Sequence, residues 1–272
     1  MRADPSPTDP PTRRLDTSVG PIAITEEGDP YAPAILCSHG LPGSVRDFRY
    51  LGPALAGRWR VVRLDLPGFG DSPGGRITTL ATWSAVYWAV ADALVLERPA
   101  LLAHSFSGGA AILAAAQRPR DCRGLVLIAS LGTRPHRALR FDPVVYRRVL
   151  RLARVPPIGA VLTLAMRRVY RDLGLPPPAH SGELRLHLGL IASVDFEALA
   201  DALRSLSVPV LAVSARDDRL SEPVVQDELA ALPPDVERLV FGSGGHHLQK
   251  TRAAEIAAAV ARRLLAPEAT IA

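Results

Sequence analysis

The run Gly124-Leu125-Val126-Leu127-Ile128-Ala129 carries no polar side chain on either face. Such a strand must be covered from both sides, as happens inside a parallel sheet flanked by helices. Val208-Pro209-Val210-Leu211-Ala212-Val213 reads the same way, and shorter runs recur at Ala34–Ser38, Arg60–Leu64, Ala100–Ala103 and Glu237–Phe241. Helical spacing fills the gaps near Val45–Leu55, Leu80–Leu96, Ser107–Gln117, Pro223–Ala231 and Ala253–Leu265. Strands alternating with helices call for βαβ units and a mostly parallel, doubly wound α/β sheet. An antiparallel hairpin is expected ahead of it, from Thr17 to Thr25 and then Ala34, turning at Gly28-Asp29-Pro30.

Residues 132–199 break this rhythm. They hold no convincing strand and show helical spacing in Val144–Arg154, Ile158–Leu173 and Glu183–Ser193, punctuated by Pro156-Pro157 and Pro176–Pro178. The expected organisation is a lead over 1–16, Pro- and Asp-rich and disordered, an α/β core over 17–131 and 200–272, and a helical insertion over 132–199. Apolar positions of the insertion (Val144, Val149, Leu152, Leu162, Met166) are expected to pack on the core or to line a pocket.

Composition excludes several classes. The longest apolar stretches, Ala85–Leu96 and Val155–Met166, fall short of the roughly 20 residues that span a bilayer. With only two cysteines, Cys37 and Cys122, there is neither a disulfide scaffold nor a CxxC site, and a reducing cytoplasm fits. The net charge of +5 is local: residues 132–195 hold eleven arginines and four acids, so the remainder is net negative. That pattern points away from nucleic acid. The arginine run is either a solvated face or an attractor of anionic substrates or an acidic lipid surface.

The chemistry concentrates in four loops. Leu101-Leu102-Ala103-His104-Ser105-Phe106-Ser107-Gly108-Gly109 is a strand running through a turn of small residues into an Ala-rich helix. A serine on such a turn is thrust out of the sheet at a helix N-terminus; alternatively, Ser107 is simply a helix cap. Cys37-Ser38-His39-Gly40-Leu41-Pro42-Gly43 ends an earlier strand in a loop whose amides can face an anion. Ser214-Ala215-Arg216-Asp217-Asp218 closes a later strand with carboxylates, and Gly242-Ser243-Gly244-Gly245-His246-His247 follows the last strand. Each has a plain structural reading as a cap, turn or solvated loop. All four lie at carboxyl ends of strands, where open α/β sheets bind ligands.

With these residues in view, the chain over about 17–266 resembles the α/β-hydrolase superfamily. His39-Gly40 is similar to the family's HG oxyanion motif, Asp65-Leu66-Pro67-Gly68-Phe69-Gly70-Asp71-Ser72 to its D-x-P-G-x-G-x-S loop, and Ala103–Ser107 to the G-x-S-x-G nucleophile elbow. Ala215–Leu220 resembles the acid loop and Gly244-Gly245-His246 the terminal histidine region. Both elbow glycines are replaced, by Ala103 and Ser107, which leaves a frame centred on Ser107 as a rival to Ser105. Asp217 is likewise a rival to Asp218. His247 is expected to line the pocket or face solvent.

The resemblance implies an α/β-hydrolase fold with a helical cap inserted after the sixth strand. It implies a nucleophile at Ser105, a general base at His246 and an orienting acid at Asp218. The backbone N–H groups of Leu41 and Phe106 would hold the oxyanion, each such donor typically worth ~3 kcal/mol. The family needs no metal or organic cofactor. The implied activity is hydrolysis of a carboxylic ester, thioester or lactone through an acyl-enzyme, acting on a small molecule that could be anionic. The same triad could instead serve carbon–carbon bond hydrolysis or perhydrolysis, and the fold can also serve as a small-molecule receptor with little turnover.

Overall fold

The protein is described by a computed structural model covering residues 9–74 and 78–265. Eight strands form one sheet: β1 (Arg13–Thr17), β2 (Gly20–Glu27), β3 (Ala34–Ser38), β4 (Arg60–Leu64), β5 (Ala100–His104), β6 (Gly124–Ile128), β7 (Val210–Ala215) and β8 (Val236–Phe241). Their spatial order is β1-β2-β4-β3-β5-β6-β7-β8, parallel from β4 to β8 and antiparallel at β1/β2 and β2/β4. This is the alpha/beta hydrolase fold. Every residue of β3, β5, β6 and β7 is buried, as runs without a polar face require. Edge strand β8 alternates between exposed and half-buried positions instead.

Ten α-helices accompany the sheet: α1 (Leu51–Ala56), α2 (Leu80–Ala93), α3 (Ser107–Gln117), α4 (Pro143–Ala153), α5 (Pro156–Asp172), α6 (Ser181–Ala192), α7 (Phe196–Ser205), α8 (Pro223–Ala230), α9 (Leu248–Thr251) and α10 (Ala253–Leu264), among the described residues. Period-two alternation divides the core between the two faces. Leu36, Leu101 and Leu125 face α2, α3 and α7, whereas Ile35, Leu102 and Val126 face α1 and α10. Helices α4, α5 and α6 follow the sixth strand and share a small core of Ala153, Leu184 and Leu188.

Three expectations are corrected. Residues 1–8 of the expected lead lie outside the described residues, but Arg13–Thr17 is strand β1, paired Leu15 to Ile22 across the sheet edge. The hairpin is β1/β2, not a pairing of 17–25 with β3, because β4 inserts between β2 and β3 and bonds to both. Gly28 (φ +89°) still turns the chain, since a Cβ there would meet the carbonyls of Trp59 and Ala56. Helix α7 crosses the expected 199/200 boundary; Leu199 and Leu203 belong to the main core.

Of the insertion's apolar positions, Leu162 packs in its small core and Val149 and Met166 line a cavity. Val144 and Leu152 do neither and are exposed.

Candidate active site

The turn between β5 and α3 holds Ser105 at φ +57°, a left-handed backbone that a residue with a side chain adopts at a cost of order 1–3 kcal/mol. The turn is fixed from three sides. The Ser105 amide donates to the Ile128 carbonyl (2.9 Å), and the Ser105 carbonyl accepts from Gly108 (3.0 Å) and Leu131 (2.8 Å). Small residues allow the approach: a Cβ at Gly108 would collide with the Ser130 side chain. Ser105 therefore stands clear of the sheet at the N-terminus of α3.

Ser107, the rival, is fully buried. The Tyr87 hydroxyl bonds Ser38 Oγ, Ser38 Oγ donates to Ser107 Oγ (2.9 Å), and the Ser107 hydroxyl faces the carbonyls of Ser38 (3.1 Å) and His104 (3.0 Å). A serine fits where the motif has glycine because β3 supplies it with partners.

Ser105, His246 and Asp218 are brought together in one chain. His246 Nε2 lies 2.8 Å from Ser105 Oγ, and His246 Nδ1 lies 2.8 Å from Asp218 Oδ2. The Asp218 side chain is 1% exposed, and its other oxygen accepts from the amides of Leu220 (2.8 Å) and Ser221 (3.1 Å). Asp217 does different work. Its carboxylate, exposed to solvent, accepts from the amides of Gly245 (2.9 Å) and Gly244 (3.1 Å), and these bonds hold it below the usual carboxylate range.

Two further histidines set the loops. His104 is buried, and its Nε2–H donates to the His246 carbonyl at 3.0 Å, which leaves Nδ1 without a proton and, among the described residues, without a partner. Burial, with His246 and His247 alongside, holds its pKa well below the usual histidine range. His39 accepts from the Leu66 amide at Nε2 (3.0 Å) and donates from Nδ1 to the Gly40 carbonyl (2.7 Å), which fixes the loop carrying Leu41. Burial lowers its pKa as well. His247 neither lines the cavity nor reaches solvent freely. Its ring packs on those of His104 (5.3 Å) and His246 (5.6 Å) and is driven down to about 4, chiefly by burial.

The Asp65–Ser72 loop is a brace. Asp65 is buried and accepts from the amides of Val45 (2.7 Å) and Asp71 (2.8 Å), while Ser72 Oγ bridges the Asp65 carbonyl (2.6 Å) and the Ala23 amide (2.8 Å). Gly70 (φ +54°) is required there, because a Cβ would strike the Asp65 carboxylate.

Leu41, Ser105, Phe106 and His246 open onto one cavity of about 420 Å³, within the usual range for small-molecule sites. The amide hydrogens of Leu41 and Phe106 have no acceptor among the described residues. Phe106 is the N-cap of α3, so its amide lies at the positive end of a helix dipole. Tyr146, Val149, Met166, Tyr170, Leu188 and Ile191 form a largely apolar roof from α4, α5 and α6, and exposed Arg137 and Arg140 stand at the mouth. Of these roof residues Val149 and Met166 were marked by the apolar spacing of the insertion; Tyr146, Tyr170, Leu188 and Ile191 are selected only by its packing. Among the described residues no three His, Cys, Asp or Glu side chains converge as a metal site. No helix there is long and apolar enough to cross a membrane.

A family model of the alpha/beta hydrolase fold matches residues 33–253. The pimeloyl-[acyl-carrier protein] methyl ester esterase of Aeromonas hydrophila is 28% identical over 73% of this chain and 82% of that enzyme. The uncharacterized hydrolase YugF of Bacillus subtilis is 28% identical over 45% of each chain. Haloalkane dehalogenase DbeA of Bradyrhizobium elkani superposes with a TM-score of 0.74 at 22% identity, over 94% of this chain and 97% of that one.

Proposed function

The chain belongs to the alpha/beta hydrolase fold family and is a hydrolase, and on that premise we propose that it cleaves a carboxylic ester, thioester or lactone through an acyl-enzyme formed on Ser105. The observation that carries this reading is Ser105, held at φ +57° with its Oγ 2.8 Å from His246 Nε2. Serine is a weak nucleophile until a base removes its proton, and a histidine at this distance can do so as attack begins.

Ser105 Oγ attacks the carbonyl carbon while His246 Nε2 takes its proton. Asp218 holds the Nδ1–H tautomer and stabilises the imidazolium that forms. Charge then develops on the former carbonyl oxygen, where the Leu41 and Phe106 amides receive it. His246 returns the proton to the leaving alcohol or thiol, and the same base activates water to release the acid.

Helices α4, α5 and α6 serve as the cap, and the apolar cavity beneath them as the acyl site. The buried free thiols of Cys37 and Cys122 suit a reducing, cytoplasmic setting. Turnover of a short-chain chromogenic ester by the wild type, and none by Ser105→Ala, is the expected result. No turnover by either across esters, thioesters and lactones would defeat the reading.

A further inference from the structure

Exposure of Val144 and Leu152 is part of a larger pattern. Nine of the fourteen exposed large apolar side chains among the described residues lie between 141 and 169. Isolated exposed aliphatics need no explanation, but a concentration on two consecutive helices does. Val161 and Leu164 on α5 are 69% and 70% exposed. The inner faces of α4 and α5 are already occupied by the small core around Ala153 and Leu184.

Charge on the same surface is mostly positive, with acids only at its two ends, Asp142 and Asp172. From 143 to 171 the chain holds seven arginines and no carboxylate. Among the described residues none of the seven forms an ion pair; those of Arg134 with Glu228 and Arg137 with Glu222 lie outside the stretch. Spacing interleaves the two kinds of residue. Val144, Arg148 and Arg151 follow one side of α4, and Val161, Leu164 and Arg168 one side of α5.

Aliphatic side chains at the level of arginines, whose stems are apolar and whose heads are cationic, suit a bilayer boundary. A protein partner would more often be met by Tyr or Trp anchors, and none is exposed on these helices. The surface runs into the cavity, because Phe141, Val145 and Val169 are both exposed and part of its lining.

We propose that the outer face of α4 and α5 docks on an anionic lipid bilayer, so that an acyl ester in the same leaflet reaches the cavity past Phe141, Val145 and Val169. The docking stands independently of the proposed chemistry, whereas the identity of the substrate as a bilayer-borne ester rests on it.

The test is co-sedimentation of the full chain with vesicles of phosphatidylcholine alone and of phosphatidylcholine with phosphatidylglycerol. Preferential binding to the anionic vesicles, released by salt, is expected. Arg148→Gln, Arg151→Gln and Arg168→Gln together should weaken it by on the order of 100-fold, roughly 5-fold per arginine. Val161→Ser with Leu164→Ser should cost roughly 10-fold. Both variants should turn over a soluble short-chain ester like the wild type. Ser105→Ala should bind vesicles unchanged yet release no acid from a vesicle-borne ester, which separates docking from chemistry. Absence of preferential binding, or binding indifferent to both sets of substitutions, would overturn the docking. So would a dimer in sedimentation velocity that Val161→Ser with Leu164→Ser dissolves, since a second copy would then own this face.

Discussion

Asp217 and Asp218, adjacent in sequence, grip the loop between β8 and α9 at two different points. Asp218 takes the imidazole of His246 at Nδ1, while Asp217 takes the amides of Gly244 and Gly245 just ahead of it. One carboxylate is buried and directs a ring; the other is exposed and anchors backbone. Both rival acids are therefore engaged, in separate tasks.

The pair can be separated by mutation. Asp218→Asn should lower kcat for ester hydrolysis by on the order of 10⁴-fold, because the amide cannot hold the imidazole tautomer or stabilise its charged form. Asp217→Asn keeps an acceptor oxygen and should cost less than about 10-fold. A larger loss at Asp217 in steady-state kinetics would reverse the assignment.

The two serines of the elbow differ in access. Ser105→Ala should abolish labelling by a fluorophosphonate probe, and Ser107→Ala should retain it, since Ser107 is fully buried and its hydroxyl is engaged by β3. Thermal stability should respond in the opposite sense. Ser107→Ala leaves a buried Ser38–Tyr87 pair short of a partner and should cost about 1–3 kcal/mol, read from denaturant unfolding. Ser105→Ala costs little.

Acid should destabilise the roof through His187. Its ring is stacked between Phe69 and Tyr170, its Nδ1 lies 2.8 Å from the Tyr170 hydroxyl, and burial drives its pKa down to about 4 despite Glu183 nearby. Between the ordinary value of 6.5 and about 4 the unfolded chain binds a proton that the folded one refuses. Stability therefore falls as pH falls through that window and levels off below it, by up to ~3 kcal/mol for this group. His187→Phe keeps a ring in the stack and should make the decline of Tm over that window shallower. An unchanged slope would show that the ring titrates normally.

Arg137 and Arg140, at the cavity mouth, should favour substrates carrying a carboxylate. The screening length falls from about 10 Å at 0.1 M salt to about 3 Å at 1 M. Accordingly, kcat/KM for a carboxylate-bearing ester should drop with ionic strength more steeply than for its neutral isostere. Arg137→Gln with Arg140→Gln should remove that difference and leave neutral turnover within about 2-fold. Equal salt dependence for both substrates in the wild type would show that the mouth exerts no field on them.

The sequence alone determined the sheet and the places where chemistry could stand. Runs such as Gly124–Ile128 have no polar face, so each must lie between two helical layers, and that leaves few architectures. The small residues around Ser105 likewise mark a turn that larger side chains would block. Strand β1 escaped notice because Arg13–Thr17 sits at the sheet edge with mostly exposed positions, where no apolar run is needed. Tertiary structure decided the rest. Which of Asp217 and Asp218 meets the imidazole depends on the hydrogen bonds of a loop 28 residues away, and the match of Ser105 to His246 spans 141 residues. The roof of the cavity and the exposed face of α4 and α5 depend on how amphipathic helices settle over the sheet. Helical period marks an apolar stripe on such a helix, but whether that stripe meets the core, a ligand or a lipid surface is set by what packs against it.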